Sequence, residues 1–176
     1  RRRLVGLPRG AWGMTLAHLG LGVFVIGACA ETGWKVEAAE TLRLGGQLKV
    51  GAYELTLEKI QGVDGPNYDA ERGTIPAVKD GKTLCVATPE RRFYPAGGQT
   101  TSEVAICTHG VDHLYVVLGE RRLTKGEPPV WLVRAYWNPF ALLIFLGPVI
   151  MALGGFVSLS DRRLRLGVGK RSEKPA

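Results

Sequence analysis

Two long runs without formal charge constrain this chain more than any other feature of its sequence. They extend over residues 10–30 and 135–160, which makes 21 and 26 positions. At about 1.5 Å per helical residue, each run is long enough to cross the roughly 30 Å hydrocarbon layer of a bilayer. We therefore predict two transmembrane helices, one over residues 11–30 and one within residues 137–160, running from Phe140 to Leu159.

The charges flanking these runs predict an orientation. Residues 1–30 hold four Arg and no acid, and residues 137–176 hold six basic and two acidic side chains, while residues 31–136 hold 13 basic and 14 acidic ones. Under the positive-inside rule, the basic segment 1–10 and the tail 161–176 are cytoplasmic, and the domain 31–136 lies outside. The tail is predicted to be disordered. Nucleic-acid binding is not expected, because the basic residues do not cluster on the folded domain.

A secretory signal is the main alternative for the first run. Arg1–Arg3 precede it, Ala28-Cys29-Ala30 resembles a cleavage site, and Ile26-Gly27-Ala28-Cys29 resembles a lipobox. The apolar stretch, however, exceeds the usual length of about 7 to 15 residues and contains His18. The chain also begins with Arg rather than Met, so we expect it to be cut from a longer protein. We therefore favour a membrane helix.

The segment between the runs shows short alternating stretches separated by Gly, Pro and Asp. Asp80-Gly81 is a typical two-residue hairpin turn. Seven short strands in about a hundred residues are typical of a small all-β barrel or sandwich. The predicted strands are Gln47 to Val50, Tyr53 to Ile60, Thr74 to Val78, Thr83 to Ala87, Glu103 to Thr108, Leu114 to Leu118 and Val130 to Tyr136.

The three cysteines show no C-x-x-C spacing, which argues against a zinc site or a thioredoxin-like motif. Outside the cytoplasm Cys85 and Cys107 could form a disulfide, but the sequence leaves their pairing open. Cys107, His109 and His113 are capable of binding a metal, although their spacing matches no standard zinc pattern. A polar turn between two strands is the favoured interpretation of that segment.

His18 is the one ionisable side chain inside either apolar run, which makes it a functional candidate. It lies about 10 Å into the predicted helix from Ala11. Low dielectric favours the neutral imidazole, which leaves one ring nitrogen able to bind a metal such as haem iron. Gly22 lies one turn further on the same face, and Gly13, Ala17 and Gly20 flank His18, so a porphyrin or another helix could approach. An interhelical hydrogen bond from His18 is an equally good interpretation from the residues alone.

Eight phrases, in order and over nearly the whole chain, resemble the C-terminal part of the CcmF family. Cys107 and His113 depart from the family pattern, which more usually has Asp and Arg there. The phrases are Trp12-Gly13-Met14 with Ala17-His18-Leu19-Gly20, Gly65-Pro66-Asn67-Tyr68, Pro89-Glu90-Arg91-Arg92-Phe93-Tyr94, Thr101-Ser102-Glu103-Val104-Ala105-Ile106, Leu114-Tyr115-Val116-Val117-Leu118-Gly119-Glu120, Val133-Arg134-Ala135-Tyr136-Trp137-Asn138-Pro139-Phe140, Met151-Ala152-Leu153-Gly154-Gly155 and Asp161-Arg162-Arg163.

The resemblance implies a role in cytochrome c maturation. Members of the family are haem lyases of the bacterial inner membrane, which take haem from a haem chaperone and help attach it to the C-x-x-C-H thiols of apocytochrome c in the periplasm. A thiol-presenting partner also takes part. The family holds a b-type haem between two histidines from different helices, and His18 corresponds to one of them. The other lies upstream, so this chain alone is not expected to be catalytic.

The alternative function is a non-catalytic, membrane-anchored docking module for the same partners. Arg91, Arg92 and Tyr94 are the predicted contact residues of the β domain. A solvated strand end is the competing interpretation of the two arginines.

Overall fold

A computed structural model describes residues 7–161 of the chain. Residues 1–6 of the predicted basic segment and residues 162–176 of the predicted tail lie outside the described part. The chain divides into two compact units, a helical one up to Cys29 and from Leu142 onward, and a β-rich one over Ala30–Ala141. The predicted fold class, two apolar helices flanking an all-β domain, is confirmed.

The helical unit contains α1 (Arg9–Gly33) and α2 (Ala141–Leu159). Both helices are long and apolar enough to cross a membrane. Between these two helices, the structure has no further helix among the described residues. The short alternating stretches of this part of the sequence therefore predicted its β character correctly.

Glycines spaced seven residues apart allow the two helices of this unit to pack closely and antiparallel. A Cβ on Gly20 would lie 2.7 Å from the carbonyl oxygen of Gly147, and one on Gly13 would lie 2.5 Å from that of Gly154. Backbone is thus in direct contact with backbone, as small residues permit in helix pairs within membranes. Gly13 and Gly20 therefore pack against α2, so of the two alternatives expected at these positions, a porphyrin or another helix, it is another helix that approaches. Gly22 does face open space, with nothing within 4 Å of its Cβ position.

The β-rich unit consists of two antiparallel sheets. The four-stranded sheet has the order β1-β11-β10-β9, and the seven-stranded sheet has the order β2-β3-β5-β7-β8 with β4 and β6 also paired to β5. The strands are β1 (Val36–Leu42), β2 (Gln47–Val50), β3 (Tyr53–Thr56), β4 (Lys59–Asp64), β5 (Asp69–Lys79), β6 (Lys82–Ala87), β7 (Glu90–Tyr94), β8 (Gln99–Glu103), β9 (Ala105–His109), β10 (Asp112–Arg122) and β11 (Val130–Asn138).

The core of this unit lies between the two sheets and is apolar. Alternate residues of each strand point inward, as the period of two in a strand requires. Burying them removes roughly 25 cal/mol of unfavourable hydration for each Å² of apolar surface. The largest fully buried side chains include Leu48, Val50, Leu55, Leu57, Ile75, Leu114, Val116, Leu118 and Val133.

The structure corrects two of the predicted strands and adds three. Tyr53 to Ile60 is not one strand, because β3 ends at Thr56 and β4 pairs with a different part of β5. Glu103 to Thr108 is likewise broken at Val104, where the chain leaves one sheet and enters the other. The unpredicted strands β1, β7 and β8 are rich in charged, polar and helix-favouring residues, and only their pairing with neighbours makes them extended. The hairpin at Asp80-Gly81 is confirmed, since both residues have positive φ, at 52° and 72°.

A disulfide between Cys85 and Cys107 joins the two sheets at one edge. Cys85 lies on β6, which pairs with β5 alone, and Cys107 lies on β9, which pairs with β10 alone, so each strand has one unpaired edge among the described residues. Their Cα atoms are 6.2 Å apart. The bond thus closes an edge that no hydrogen-bond ladder closes.

The connection from β11 to α2 bends sharply at Phe140, a non-glycine residue with a φ of 58°. Asp112 stabilises this bend, because its Oδ1 accepts a hydrogen bond from the Phe140 amide and its Oδ2 accepts one from Trp137 Nε1, both at 3.2 Å. Such a conformation costs about 1 to 3 kcal/mol and persists only where surrounding contacts impose it.

Candidate functional site

His18 lies on the exposed face of α1. Its Nδ1 is 2.8 Å from the carbonyl oxygen of Met14, one turn earlier. A carbonyl can only accept, so Nδ1 is the donor in this contact, and the neutral form of such a ring has its lone pair on Nε2. The ring is thus oriented by its own helix, with Nε2 directed away from that bond.

The surroundings of His18 are apolar and open. The side chain borders a shallow apolar groove of about 190 Å³, together with Ala17, Leu21 and Met151 of the same unit. Gly22, one turn along the exposed face, adds no side chain. The structure therefore places the two residues predicted to face a haem, His18 and Gly22, on the same exposed face of α1.

A buried carboxylate organises the charged residues of β5 and β7. Glu90 is only 5% exposed, and it accepts hydrogen bonds from Arg72 Nε at 2.6 Å and from Arg92 Nε at 2.8 Å. The guanidinium of Arg92 in turn lies 4.4 Å from the ring centre of Tyr68. Sequence analysis did not single out Glu90, although alternation along the strand places it on the face of Arg92 and opposite Arg91.

The pKa of Glu90 reflects two opposing effects. Burial raises the pKa of the carboxyl, but hydrogen bonds and charge from Arg92 and Arg72 outweigh it, so the pKa lies below the ordinary value of 4.5. The hydrogen bonds that Arg92 donates to Glu90 and to Tyr94 raise the pKa of Arg92. Glu90 and Arg92 are therefore both charged near neutral pH.

Replacing Glu90 by Gln is expected to lower the free energy of unfolding by about 2 to 3 kcal/mol, because two guanidinium groups lose their common buried partner. A carboxyl with a lowered pKa stabilises the fold above pH 4.5, and that contribution is lost as the pH falls through the pKa of the folded state. The difference between wild type and variant should therefore shrink in acid. Denaturant unfolding in detergent at several pH values measures it.

The matched control for this prediction is Glu54→Gln, which breaks the exposed ion pair with Lys49. The unfolding midpoint is expected to stay unchanged in this control, since exposed pairs contribute little. Equal effects of Glu90→Gln and Glu54→Gln would contradict a special role for the buried triad.

Arg91 lies on the opposite face of β7 from Arg92. It borders an open cleft of about 390 Å³ with Phe93, Glu71 and Arg121. Phe93 is 44% exposed there, while Arg121 Nη1 contacts Glu71 Oε1 at 2.9 Å. The three predicted contact residues therefore do not share one surface, because Tyr94 and Arg92 take part in the contacts around Glu90 and Arg91 borders the cleft.

The metal-capable residues of the turn before β10 do not form a metal site among the described residues. Cys107 is in the disulfide, His109 is exposed, and His113 is buried on β10 beside Tyr115.

Comparison with known proteins identifies relatives over almost the whole chain. A family model described as the CcmF C-terminal beta-sandwich matches residues 33–139. The chain is 43% identical over 169 residues to the cytochrome c-type biogenesis protein CycK of Bradyrhizobium diazoefficiens, covering 96% of this chain and 25% of that protein. It is 35% identical over 164 residues to the cytochrome c-type biogenesis protein CcmF of Escherichia coli K12, covering 93% of this chain and 25% of that protein.

A solved structure of the cytochrome c haem lyase CcmF has a similar fold. The TM-score is 0.67 at 17% sequence identity, over 87% of this chain and 25% of that structure. The chain thus spans about a quarter of the length of the relatives that it matches.

Proposed function

The chain belongs to the CcmF family of cytochrome c-type biogenesis proteins, and from this membership we propose that it takes part in the covalent attachment of haem to the C-x-x-C-H thiols of apocytochrome c. The observation that carries the proposal is the family match over residues 33–139. Because the chain spans only a quarter of its relatives, the activity belongs to a larger assembly that includes the upstream part of the haem lyase. This chain contributes a part of the machinery and does not catalyse the reaction alone.

His18 is the proposed axial ligand of a b-type haem, and Gly22 the residue that allows the porphyrin to approach. The exposed position of the ring and its bond to Met14 support this role. A b-type haem held here would supply one-electron transfer to the haem that is the substrate. His18 would bind and orient it from one side, and a second axial histidine would come from outside this chain.

The proposed location is the bacterial inner membrane, with both helices spanning it, both termini in the cytoplasm and the β-rich domain in the periplasm. Two observations support this arrangement. The basic residues flank the apolar runs. The Cys85–Cys107 disulfide is typical of a domain in an oxidising compartment.

The cleft beside Arg91 and Phe93 is the proposed contact surface for maturation partners, namely the haem chaperone, the thiol-presenting protein or apocytochrome c. An exposed aromatic ring beside two arginines is typical of the residues that dominate binding energy in protein interfaces. Arg92 and Tyr94 stay predicted contact residues, whose side chains already bind neighbours within the domain.

Replacing Arg91 and Phe93 together by Ala is expected to weaken partner binding at least about 30-fold, seen as reduced copurification, because hot-spot residues of this kind each contribute more than about 1 kcal/mol. The amount of haem bound covalently to c-type cytochromes should fall in the same cells. Affinity copurification and haem staining of denaturing gels measure the two quantities, and haem b should be retained, which would distinguish a docking role from a ligand role.

The matched control replaces Lys49 and Val86, an exposed cation and an exposed aliphatic residue away from the cleft, by Ala. It removes the same kinds of group and should leave partner binding and covalent haem unchanged. Wild-type copurification by the Arg91 and Phe93 variant would refute this docking surface. Unimpaired cytochrome c maturation in cells that lack the whole chain would refute the proposed function.

A further inference from the structure

The outer face of the four-stranded sheet carries a second cleft, which the proposed function does not use. Its volume is about 330 Å³ and its walls are mostly apolar. Three polar residues, Glu31, Lys35 and Asn138, are among its lining. The apolar walls are formed by Val104, Tyr115, Val117 and Tyr136.

Asn138 is the most informative residue of this cleft. It is only 8% exposed, and its Oδ1 is buried with no hydrogen-bond partner among the described residues. A buried acceptor without a donor costs about 1 to 3 kcal/mol, so such groups are rare unless something supplies the donor. The cleft that Asn138 lines is where that donor would enter.

The charges of the cleft indicate the chemistry of the ligand. Glu31 supplies a carboxylate, and Lys35 supplies an ammonium group whose Nζ lies 4.9 Å from the ring centre of Tyr136. A complementary ligand carries N–H donors on a cation, for Asn138 Oδ1 and Glu31, and an anion for Lys35. Phosphoethanolamine has this combination within a few bonds. Phosphocholine has the same charges but no N–H donor.

The position of these residues along the chain indicates the source of that headgroup. Glu31 belongs to the last turn of α1, and Lys35 follows the end of that helix at Gly33 by two residues. If α1 spans a bilayer, as proposed above, both lie at the level of the lipid headgroups. The valine and tyrosine walls can accept the upper part of an acyl chain.

We propose that this cleft binds the headgroup of a phospholipid bearing a primary amine, of the phosphatidylethanolamine class, with Asn138 and Glu31 receiving the ammonium group and Lys35 the phosphate. The inference rests on the proposed membrane insertion of α1, but it is independent of His18 and of haem. It assigns a specific lipid to the domain rather than a general contact with the bilayer.

The protein is purified in detergent from the cells that produce it and mixed with equal amounts of phosphatidylethanolamine, phosphatidylcholine and phosphatidylglycerol. Native mass spectrometry then measures how much of each lipid the protein retains. Retention of phosphatidylethanolamine is expected to exceed that of phosphatidylcholine about tenfold, since choline cannot donate to Asn138 or Glu31. Glu31→Gln should reduce this preference. Lys35→Met should reduce the retention of all three lipids, because all three carry the phosphate that Lys35 is proposed to bind.

Lys82→Met, at an exposed hairpin outside the cleft, is the control for removal of a cation. Equal retention of the three lipids by wild type would overturn the proposal. This is the result expected if another polypeptide segment, rather than a lipid, fills the cleft. A preference for phosphatidylglycerol would also overturn it, by assigning the site to Lys35 alone. Resistance of the protein to alkaline extraction from membranes tests insertion separately, so failure of lipid selectivity is distinguishable from failure of the proposed topology.

Discussion

Replacement of His18 by Ala is expected to remove the b-type haem absorption from the complete haem lyase that contains this chain. The physical reason is the geometry of the exposed face of α1, where the Nδ1 contact with Met14 leaves Nε2 as the proposed ligating atom. Alanine provides no ligand, and water is a poor substitute in an apolar groove. The difference spectrum between reduced and oxidised protein, together with haem content per polypeptide, measures the effect.

Two controls separate ligation from helix packing. Thr15→Ala changes a neighbouring exposed residue whose hydroxyl bonds to its own helix, and His109→Ala removes an exposed histidine of the β-rich domain. Both should keep the haem spectrum. His18→Gly with added imidazole should restore absorption, because the free base can occupy the space of the lost ring. An unchanged spectrum in His18→Ala would refute the ligand assignment.

Replacement of Cys85 and Cys107 together by Ala is expected to lower the free energy of unfolding by about 3 kcal/mol. The bond closes a loop with a sequence separation of 22, and it joins the two open sheet edges. Losing it increases the conformational freedom of the unfolded chain. In the folded state β6 and β9 stay paired with β5 and β10, but only packing then holds them to each other. Denaturant unfolding in detergent, followed by tryptophan fluorescence, reports this change through the buried Trp131.

Reduction provides an independent measurement of the same effect. A thiol reductant should lower the unfolding midpoint of wild type and of Cys29→Ser, but not that of the double variant, which has no bond to lose. A double variant within about 1 kcal/mol of wild type would contradict a stabilising role for the bond.

The relation between sequence and site differs from residue to residue. His18 was identifiable from the sequence because an ionisable group within an apolar run is costly, and its exposed position on α1 is consistent with a ligand role. Glu90 was not identifiable, because three successive charged residues resemble a solvated strand end. Its burial depends on the pairing of β5 with β7, which places Arg72 opposite Glu90.

The glycines of α1 also show which properties can be predicted from sequence and which depend on the tertiary structure. Their presence predicted close approach to α1, but the choice between another helix and a cofactor at each position depended on the rotation of α1 against α2. Gly13 and Gly20 contact α2, whereas Gly22 faces outward with His18.

The sequence by itself determined the two apolar helices, the β character of the segment between them and the position of the one ionisable residue in the apolar runs. These properties are local, since they depend on hydrophobic length, on alternation and on the cost of burying a charge. Only the tertiary structure decided the strand order, the disulfide, the buried Glu90 triad and the unpartnered Asn138. Each of these depends on which distant residues meet, and pairing between strands is determined by the packing of the whole sandwich rather than by any one segment.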